Sequence, residues 1–171
     1  PGHSSAASDV YKRQTRGWEN KVDTFSEKAF EINQLREKLL SLVDQDARSF
    51  NSIMEAYKLP KDSEGNKQIR SKAIKDATLY AAQIPFNIMV ESYNSYEIIE
   101  FLAKEGNQNS LSDSGVACLC VHTAIHGAYL NVRINLKDVT GGEDIMKKAD
   151  KILKDSHSKK EKIMKLVEDK L

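Results

Sequence analysis

Two asparagines and two aspartates stand where a helix would turn them toward its neighbours. Asn131 and Asn135 lie one helical turn apart, and Asp113 lies on the same predicted face near its start. Asp46 interrupts the apolar stripe of an earlier segment. Amide and carboxylate groups on a packed helix face are costly unless they are hydrogen-bonded. The pattern therefore predicts a polar ligand in a groove that these side chains line.

Helical periodicity predicts the elements that position these groups. Apolar residues recur at steps of three and four, and no strand pattern competes with them. Long helices joined by short loops predict an all-α, up-and-down antiparallel bundle. The predicted helices run over about 18–59, 67–104, 110–136 and 143–171. The first two are expected to bury Leu35, Leu39, Leu42, Phe50, Ile53 and Tyr57, and Ile69, Ala73, Ala77, Tyr80 and Ile84.

Three local signals refine the helices. Pro85 lies inside the second pattern and should kink or break that helix, because proline lacks a backbone N–H. Ser110 and Asp113 resemble a capping box at the start of the third helix. That helix carries small residues at helical spacing, so a neighbouring backbone is expected to approach it closely. These are Ala117, Cys120, Ala124 and Gly127.

Composition limits the classes of function. The chain has 171 residues with a net charge of +1, which gives no electrostatic footprint for nucleic acid. It has two cysteines, and no disulfide framework is indicated. No segment is expected to span a membrane, and a cytoplasmic location is predicted. Residues 1–16 are Ser/Ala-rich without a period and are interpreted as a disordered, non-native arm, with the domain over 17–171.

Several sequence pieces together resemble the cyclodeaminase/cyclohydrolase family, and they keep its order and spacing over about residues 20–170. The pieces are Asp46-Ala47-x-x-Phe50, Ala56-Tyr57-x-Leu59-Pro60-Lys61, Ala81-x-x-Ile84-Pro85-Phe86, Gly106-Asn107-x-Asn109, Ser112-Asp113-x-Gly115-Val116-Ala117 and Gly127-Ala128-Tyr129-Leu130-Asn131-Val132-Arg133-Ile134-Asn135-Leu136. The resemblance implies an all-helical fold. Family members open with a glycine-rich loop and helix that this sequence lacks, so we expect an upstream truncation and an incomplete bundle.

The resemblance implies formimidoyltetrahydrofolate cyclodeaminase activity, in which ring closure forms methenyltetrahydrofolate and releases ammonia. A sister branch implies the alternative, hydrolysis of methenyltetrahydrofolate by a cyclohydrolase. The expected partners are a reduced folate as substrate, a second copy in a homodimer or higher homo-oligomer, and a formiminotransferase domain. No cofactor, metal, nucleic acid or membrane is expected. A third alternative, of a different class, is a non-catalytic helical interaction module. The resemblance leaves open whether this chain, without the glycine-rich segment, is itself active.

The reaction needs a base, an acid and a group that tolerates a cationic product. Asp46 and Asp113 are the candidate catalytic carboxylates, because each lies on a predicted core-facing stripe and inside a family-like motif. The alternatives are a misphased stripe for Asp46 and a first-turn residue favoured by the helix dipole for Asp113. The remaining candidates are predicted to bind substrate, and they are Asn107, Asn109, Asn131, Arg133 and Asn135.

Each binding candidate has a structural alternative. Asn107 and Asn109 are also typical turn formers. The amides of Asn131 and Asn135 could bond each other or a neighbouring helix. Arg133 would either steer a folate glutamate tail or serve as an exposed or interface arginine.

Cysteine and histidine recur at a spacing that could hold a metal ion. Cys118, His122 and His126 stand at successive i+4 positions, which could place three ligands on one face. No fourth ligand is evident and the resemblance implies no metal, so packing or an oligomer contact is the favoured interpretation.

Overall fold

The structure is a computed structural model that describes residues 21–171. Four helices account for nearly all of these residues, and no strand occurs among them. Residues 35–171 form one compact unit, which holds the bundle, and residues 21–34 are assigned to a separate unit. The helices are α1 (Val22–Lys58), α2 (Glu64–Glu105), α3 (Leu111–Leu136) and α4 (Glu143–Glu168). The predicted all-α, up-and-down bundle is confirmed, whereas the disordered arm predicted over 1–16 lies outside the described residues.

Helix α1 uses small side chains on its buried face. Ser49 and Ala56 are buried together with Leu42, at steps of seven that match the helical period. The predicted stripe was wrong at Phe50 and Tyr57, which are 62% and 52% exposed. Each lies one position from a buried small residue, so the stripe was displaced by about 100° around the helix.

Helix α2 runs unbroken through its internal proline. Ser63 caps the helix by accepting a hydrogen bond from the Asn66 N–H, and Gly106 follows the last turn. Pro85 is buried within the helix, so the predicted break does not occur. The predicted burial is confirmed for Ile84 and is wrong for Ile69 and Tyr80, which are exposed. Burial concentrates in the second half of α2, where α3 and α4 pack against it.

Helix α3 buries a different face from the one that its small residues predict. The buried side chains include Cys118, Ile125 and Val132, again at steps of seven. Ala124 and Gly127 are exposed, and nothing lies within 4 Å of the Cβ position of Gly127. The expectation that a neighbouring helix covers the small-residue face is therefore wrong at Cys120, Ala124 and Gly127, which are exposed, whereas Ala117 is half-buried against the core. Ile125 and Val132 occupy the interior, because their side chains remove more apolar area from water than small side chains do.

The start of α3 also differs from the prediction. Ser110 occupies the N-cap position, but its side chain makes no capping hydrogen bond. A short 3-10 turn, Gln108–Ser110, precedes the helix and is closed by the Asn107 side chain, which accepts from the Asn109 N–H. The side-chain cap therefore lies at Asn107, at the start of the 3-10 turn, and the capping box predicted from Ser110 and Asp113 is wrong.

Helix α4 completes the core. Its Ile163 and Val167 are buried, while its lysines lie on the outside, as predicted for a partly solvated helix. The core cluster draws on α2, α3 and α4, and consists of Met89, Tyr96, Ile99, Ala103, Leu111, Cys118, Ile125, Ala128, Val132, Ala149, Ile163 and Val167.

A buried carboxylate ties α4 to α2. Glu100 is 9% exposed, and its oxygens lie 2.6 Å from the Lys104 ammonium, 2.8 Å from Lys162 and 3.7 Å from Lys159. Hydrogen bonds from Lys104 and Lys162 lower the pKa of Glu100 to about 2. Two of these cations belong to α4, so the ion cluster joins the two helices.

One helical stretch within residues 21–171 is long and apolar enough to cross a membrane. It is Gln108–Leu136, so the expectation that no segment reaches this length and composition is corrected. Length and composition alone are weak grounds for a membrane span, because a core helix of a bundle meets the same criteria. Here one face of the stretch packs on α2 and α4.

Candidate functional site

Three of the predicted site residues line one hollow between α1, α2 and α3. The hollow has a volume of about 160 Å³, and Asp46, Asn131 and Asn135 contribute its polar groups. Ser49, Phe50, Ile53 and Ala81 complete the lining. Asp46 and Asn131 are exposed and Asn135 is half-buried, so the hollow opens to solvent. The expected meeting of an aspartate with the two amides therefore occurs, at the surface rather than in a closed groove.

Asn135 has a specific reason to lie at the hollow. Its side-chain N–H donates to the carbonyl oxygen of Ala81 at 3.0 Å. In a regular helix that carbonyl would accept from the backbone N–H four residues later, at position 85. Position 85 is proline and has no N–H. Asn135 thus replaces a hydrogen bond that Pro85 removes. The alternative interpretation, in which this amide bonds a neighbouring helix, is confirmed for Asn135.

Asp46 is placed by the buried side of α1. Leu42 and Ser49 are buried one turn before and one turn after it, which sets Asp46 on the side of α1 that faces the bundle. The Ser49 hydroxyl is 2% exposed and donates to the Asp46 carbonyl at 2.7 Å. The core-facing stripe predicted for Asp46 is correct in direction, but the carboxylate itself is exposed.

Two contacts join α1 to α2. The Lys38 ammonium lies 2.6 Å from the Glu91 carboxylate. The Arg70 guanidinium donates twice, each at 3.2 Å, to the Tyr57 carbonyl in the last turn of α1. An arginine at this position satisfies a carbonyl that lacks a helical partner. These contacts fix the helix that carries Asp46.

The remaining predicted residues lie away from the hollow. Asp113 is exposed in the first turn of α3, which is more than 25 Å along the helix axis from Asn131 at about 1.5 Å per residue. Its position matches the helix-dipole alternative, and the predicted core-facing orientation is wrong. Asn107 and Asn109 are exposed and form the turn before α3. Of the two predicted catalytic carboxylates, Asp46 lines the hollow and Asp113 does not.

Arg133 faces a different groove. It lies two positions after Asn131, which turns it about 200° around α3. Its guanidinium carbon lies 5.8 Å from the centre of the Tyr129 ring. The groove that it lines, at the α3–α4 end, has a volume of about 870 Å³ and also includes Lys137 and Lys147. Arg133 therefore does not share the hollow with the amides.

The hollow can bind a polar, planar group by its edge. A carboxylate accepts two hydrogen bonds side by side, and each amide side chain both donates and accepts. The sequence missed two contributors, the Ser49 side chain and the Ala81 carbonyl. Pro85 was the available signal for the second, because an internal proline always leaves the carbonyl four residues earlier without its helical donor.

Comparison with known proteins reveals related sequences. The sequence model of the formiminotransferase-cyclodeaminase family matches residues 5–155. A formimidoyltransferase-cyclodeaminase from Gallus gallus is 37% identical over 109 residues, which is 64% of this chain and 20% of that protein. The chain thus matches about one fifth of the length of this relative. A methenyltetrahydrofolate cyclohydrolase from Methylorubrum extorquens is 30% identical over 140 residues, or 80% of this chain and 67% of that protein.

A solved structure has the same fold. The crystal structure of formiminotetrahydrofolate cyclodeaminase from Thermotoga maritima superposes with a TM-score of 0.72 at 26% sequence identity. The match covers 95% of this chain and 76% of the other. The similarity therefore extends over essentially the whole arrangement of helices.

Proposed function

We propose that this chain, which belongs to the formiminotransferase-cyclodeaminase family of folate one-carbon enzymes, is part of a formimidoyltetrahydrofolate cyclodeaminase. Its relatives include both a cyclodeaminase and a cyclohydrolase. The observation that carries the proposal is the hollow in which Asp46 meets Asn131 and Asn135. It offers the polar groups that a reduced pterin ring needs at its edge.

The size of the hollow limits what it can hold. Small-molecule sites usually measure about 300–1,000 Å³, and this one measures about 160 Å³. We therefore assign to it only the pterin end of a folate, and the rest of the ligand would extend beyond it. We include in the proposal a second copy of the chain that encloses the remainder, a formiminotransferase domain as a further partner, and a cytoplasmic location.

The proposed reaction is a ring closure. The anilino nitrogen attacks the carbon of the protonated formimidoyl group (C=NH2⁺), forming a carbon–nitrogen bond and losing its proton. The terminal nitrogen, now an amino group, gains a proton, its bond to that carbon breaks, and it leaves as ammonia with the positive charge remaining on the methenyl product. Asp46 is the ionisable group among the residues that line the hollow, and it would take the first proton and deliver the second. The same carboxylate stabilises the cationic methenyl product, and no cofactor is required.

The amides have supporting roles in this mechanism. Asn135 is anchored through its N–H to Ala81, so its carbonyl oxygen is left as an acceptor for a ring N–H. Asn131 lies one turn earlier on α3 and supplies a donor and an acceptor. Together they would set the orientation of the pterin relative to Asp46.

The test compares Asp46→Asn with Asp44→Asn. Asp44 is exposed two residues away on α1 and does not line the hollow, so it is a matched control for charge and helix. With formimidoyltetrahydrofolate, we expect ammonia release and growing methenyl absorbance in the unaltered chain and in Asp44→Asn. In Asp46→Asn the rate should fall at least about 100-fold, the usual contribution of a positioned acid–base group.

Binding is measured in parallel. A reduced folate that binds the folded chain must raise its melting temperature. Absence of such a rise in the unaltered chain, or equal rates in Asp46→Asn and Asp44→Asn, contradicts the proposal.

A second function, methenyltetrahydrofolate cyclohydrolase, is favoured by the Methylorubrum extorquens relative, because the match covers 67% of that protein. The same Asp46 would then activate a water molecule. Methenyl absorbance would fall with no ammonia released, so one pair of measurements separates the two reactions.

A further inference from the structure

Three histidines meet on the α3–α4 surface, outside the hollow. His122 and His126 lie one turn apart on α3, and His157 lies across from them on α4. The ring centroids are 4.7 Å apart for His122 and His157, 6.3 Å for His126 and His157, and 6.4 Å for His122 and His126. The proposed function uses none of these imidazoles.

The third member of this group differs from the one that sequence spacing indicated. Cys118 is fully buried, and its thiol is directed to the Lys160 carbonyl at 3.9 Å. It is therefore turned away from solvent, and burial raises the pKa of its thiol. His157 takes the place of Cys118 beside the two helical histidines.

Two hydroxyl groups, of Ser156 and Tyr96, hold His122 through its Nδ1 atom. The Ser156 hydroxyl donates to the Leu153 carbonyl at 2.9 Å, which leaves the Ser156 oxygen as an acceptor. That oxygen lies 3.3 Å from Nδ1 of His122 and accepts from it in the tautomer that carries the proton on Nδ1. The opposite ring nitrogen, Nε2, then holds an unprotonated lone pair. A histidine held through one nitrogen by a neighbouring group is typical of metal ligands.

The ring spacing is close to that of a three-histidine metal site. Imidazole nitrogens bind zinc at about 2.0–2.1 Å, which places the centroids of neighbouring ligand rings about 5 Å apart in tetrahedral geometry. As the rings stand, no group of three His, Cys, Asp or Glu side chains within residues 21–171 is arranged around a metal position. His126 and His157 are exposed, so side-chain rotation can close the difference of about 1 Å without moving a helix.

We propose that His122, His126 and His157 bind one divalent transition-metal ion and thereby join α3 to α4. Zn²⁺, Ni²⁺ and Cu²⁺ are the ions that favour imidazole ligands. Two histidines at i and i+4 on one helix already form a bidentate site. His157 adds the third ligand from the other helix, and water completes the coordination.

Two groups beside the histidines bear on metal binding. Tyr96 from α2 lies 3.5 Å from Nδ1 of His122, so this side of the ring faces the interior. Neutral imidazole is the form that binds metal. The nearby cation, Lys160, disfavours the metal, and the imidazole lone pairs must outweigh that repulsion.

The test is a titration of the full chain with Zn²⁺ alone and then Ni²⁺ alone, in a non-chelating buffer at pH 7.5. We expect saturable heat of binding and a melting temperature that rises with ion concentration and returns with chelator. His126→Asn and His157→Asn should each weaken binding at least about tenfold, since even an outer group of a metal site contributes that much. His3→Asn, outside the described residues, removes the fourth histidine and is the matched control.

A second measurement does not depend on affinity. Long-range proton–nitrogen NMR of the metal-free chain should show His122 protonated at Nδ1, and Zn²⁺ should shift the imidazole signals of all three histidines. The proposal is overturned if no saturable binding occurs, if His157→Asn leaves the affinity within about twofold of the unaltered chain, or if His3→Asn abolishes binding. None of these results depends on folate chemistry, so the site fails or stands separately from the proposed enzyme activity.

Discussion

The hydrogen bond from Asn135 to Ala81 should stabilise the fold only because residue 85 is proline. Two substitutions test this dependence. Asn135→Ala removes the side-chain donor that reaches the Ala81 carbonyl. Pro85→Ala restores a backbone N–H at the position that normally serves that carbonyl. Together with the unaltered chain and the double variant they form a thermodynamic cycle.

The structure gives the size of the expected effect. Leaving a buried carbonyl unsatisfied costs about 1–3 kcal/mol. Ala81 is 3% exposed, but it lines a hollow that opens to solvent, so water can reach the freed oxygen. We therefore expect Asn135→Ala to lower the free energy of unfolding by about 1 kcal/mol, the lower end of that range. In the Pro85→Ala background the same change should cost close to nothing, since the backbone already satisfies the carbonyl.

Urea unfolding followed by helical circular dichroism measures all four proteins. A difference of about 1 kcal/mol corresponds to about 2–4 °C in the melting temperature of a chain of this size. Asn131→Ala, one turn away on the same hollow, is the control and should change stability by less than about 0.5 kcal/mol. If Asn135→Ala costs the same with Pro85 as with alanine at that position, the explanation for Asn135 is wrong.

Two further predictions concern ionisation. Glu100→Gln should lower stability by about 1–3 kcal/mol at pH 7, because a buried carboxylate loses its charge while its lysine partners remain. The pKa of Glu100 is lowered from 4.5 to about 2, so its contribution is complete above pH 4.5 and is lost as the pH falls toward 2. Denaturation of both proteins across that window should show their stabilities converging, and a constant difference would count against the ion cluster. Cys120 is exposed, whereas Cys118 is buried, and burial raises the pKa of the Cys118 thiol. A thiol reagent should therefore modify one site per native chain, and Cys120→Ser should abolish that reaction.

The helices were predictable because their periodicity extends over many turns, but their buried faces were not. On α1 the sequence offered two stripes about 100° apart, one with Phe50 and Tyr57 and one with Ser49 and Ala56. Apolar character favours the first stripe, yet the structure buries the second. Small side chains let helices approach closely, and sequence alone does not reveal how near a neighbour lies. On α3 the opposite occurred, and the small residues Cys120, Ala124 and Gly127 stay exposed.

The candidate site was predictable where a polar residue interrupted a helical pattern. Asp46, Asn131 and Asn135 were identified by spacing within their own helices, and the structure brings them to one hollow. Asp113 was selected by the same reasoning, but a first-turn aspartate also has a local cause in the helix dipole. His157 could not be found in this way, since it meets His122 from another helix and no spacing within a segment encodes that contact.

Pro85 connects the fold to the candidate site. An internal proline weakens a helix by removing one hydrogen bond and crowding the preceding turn. Here the freed carbonyl of Ala81 faces a neighbouring helix, where Asn135 satisfies it and is fixed in place by doing so. The proline therefore gives a polar side chain of α3 a partner on α2, and Asp46 lines the same hollow. Departures from ideal packing concentrate at functional sites, and this one accounts for the position of an amide that the proposed reaction requires.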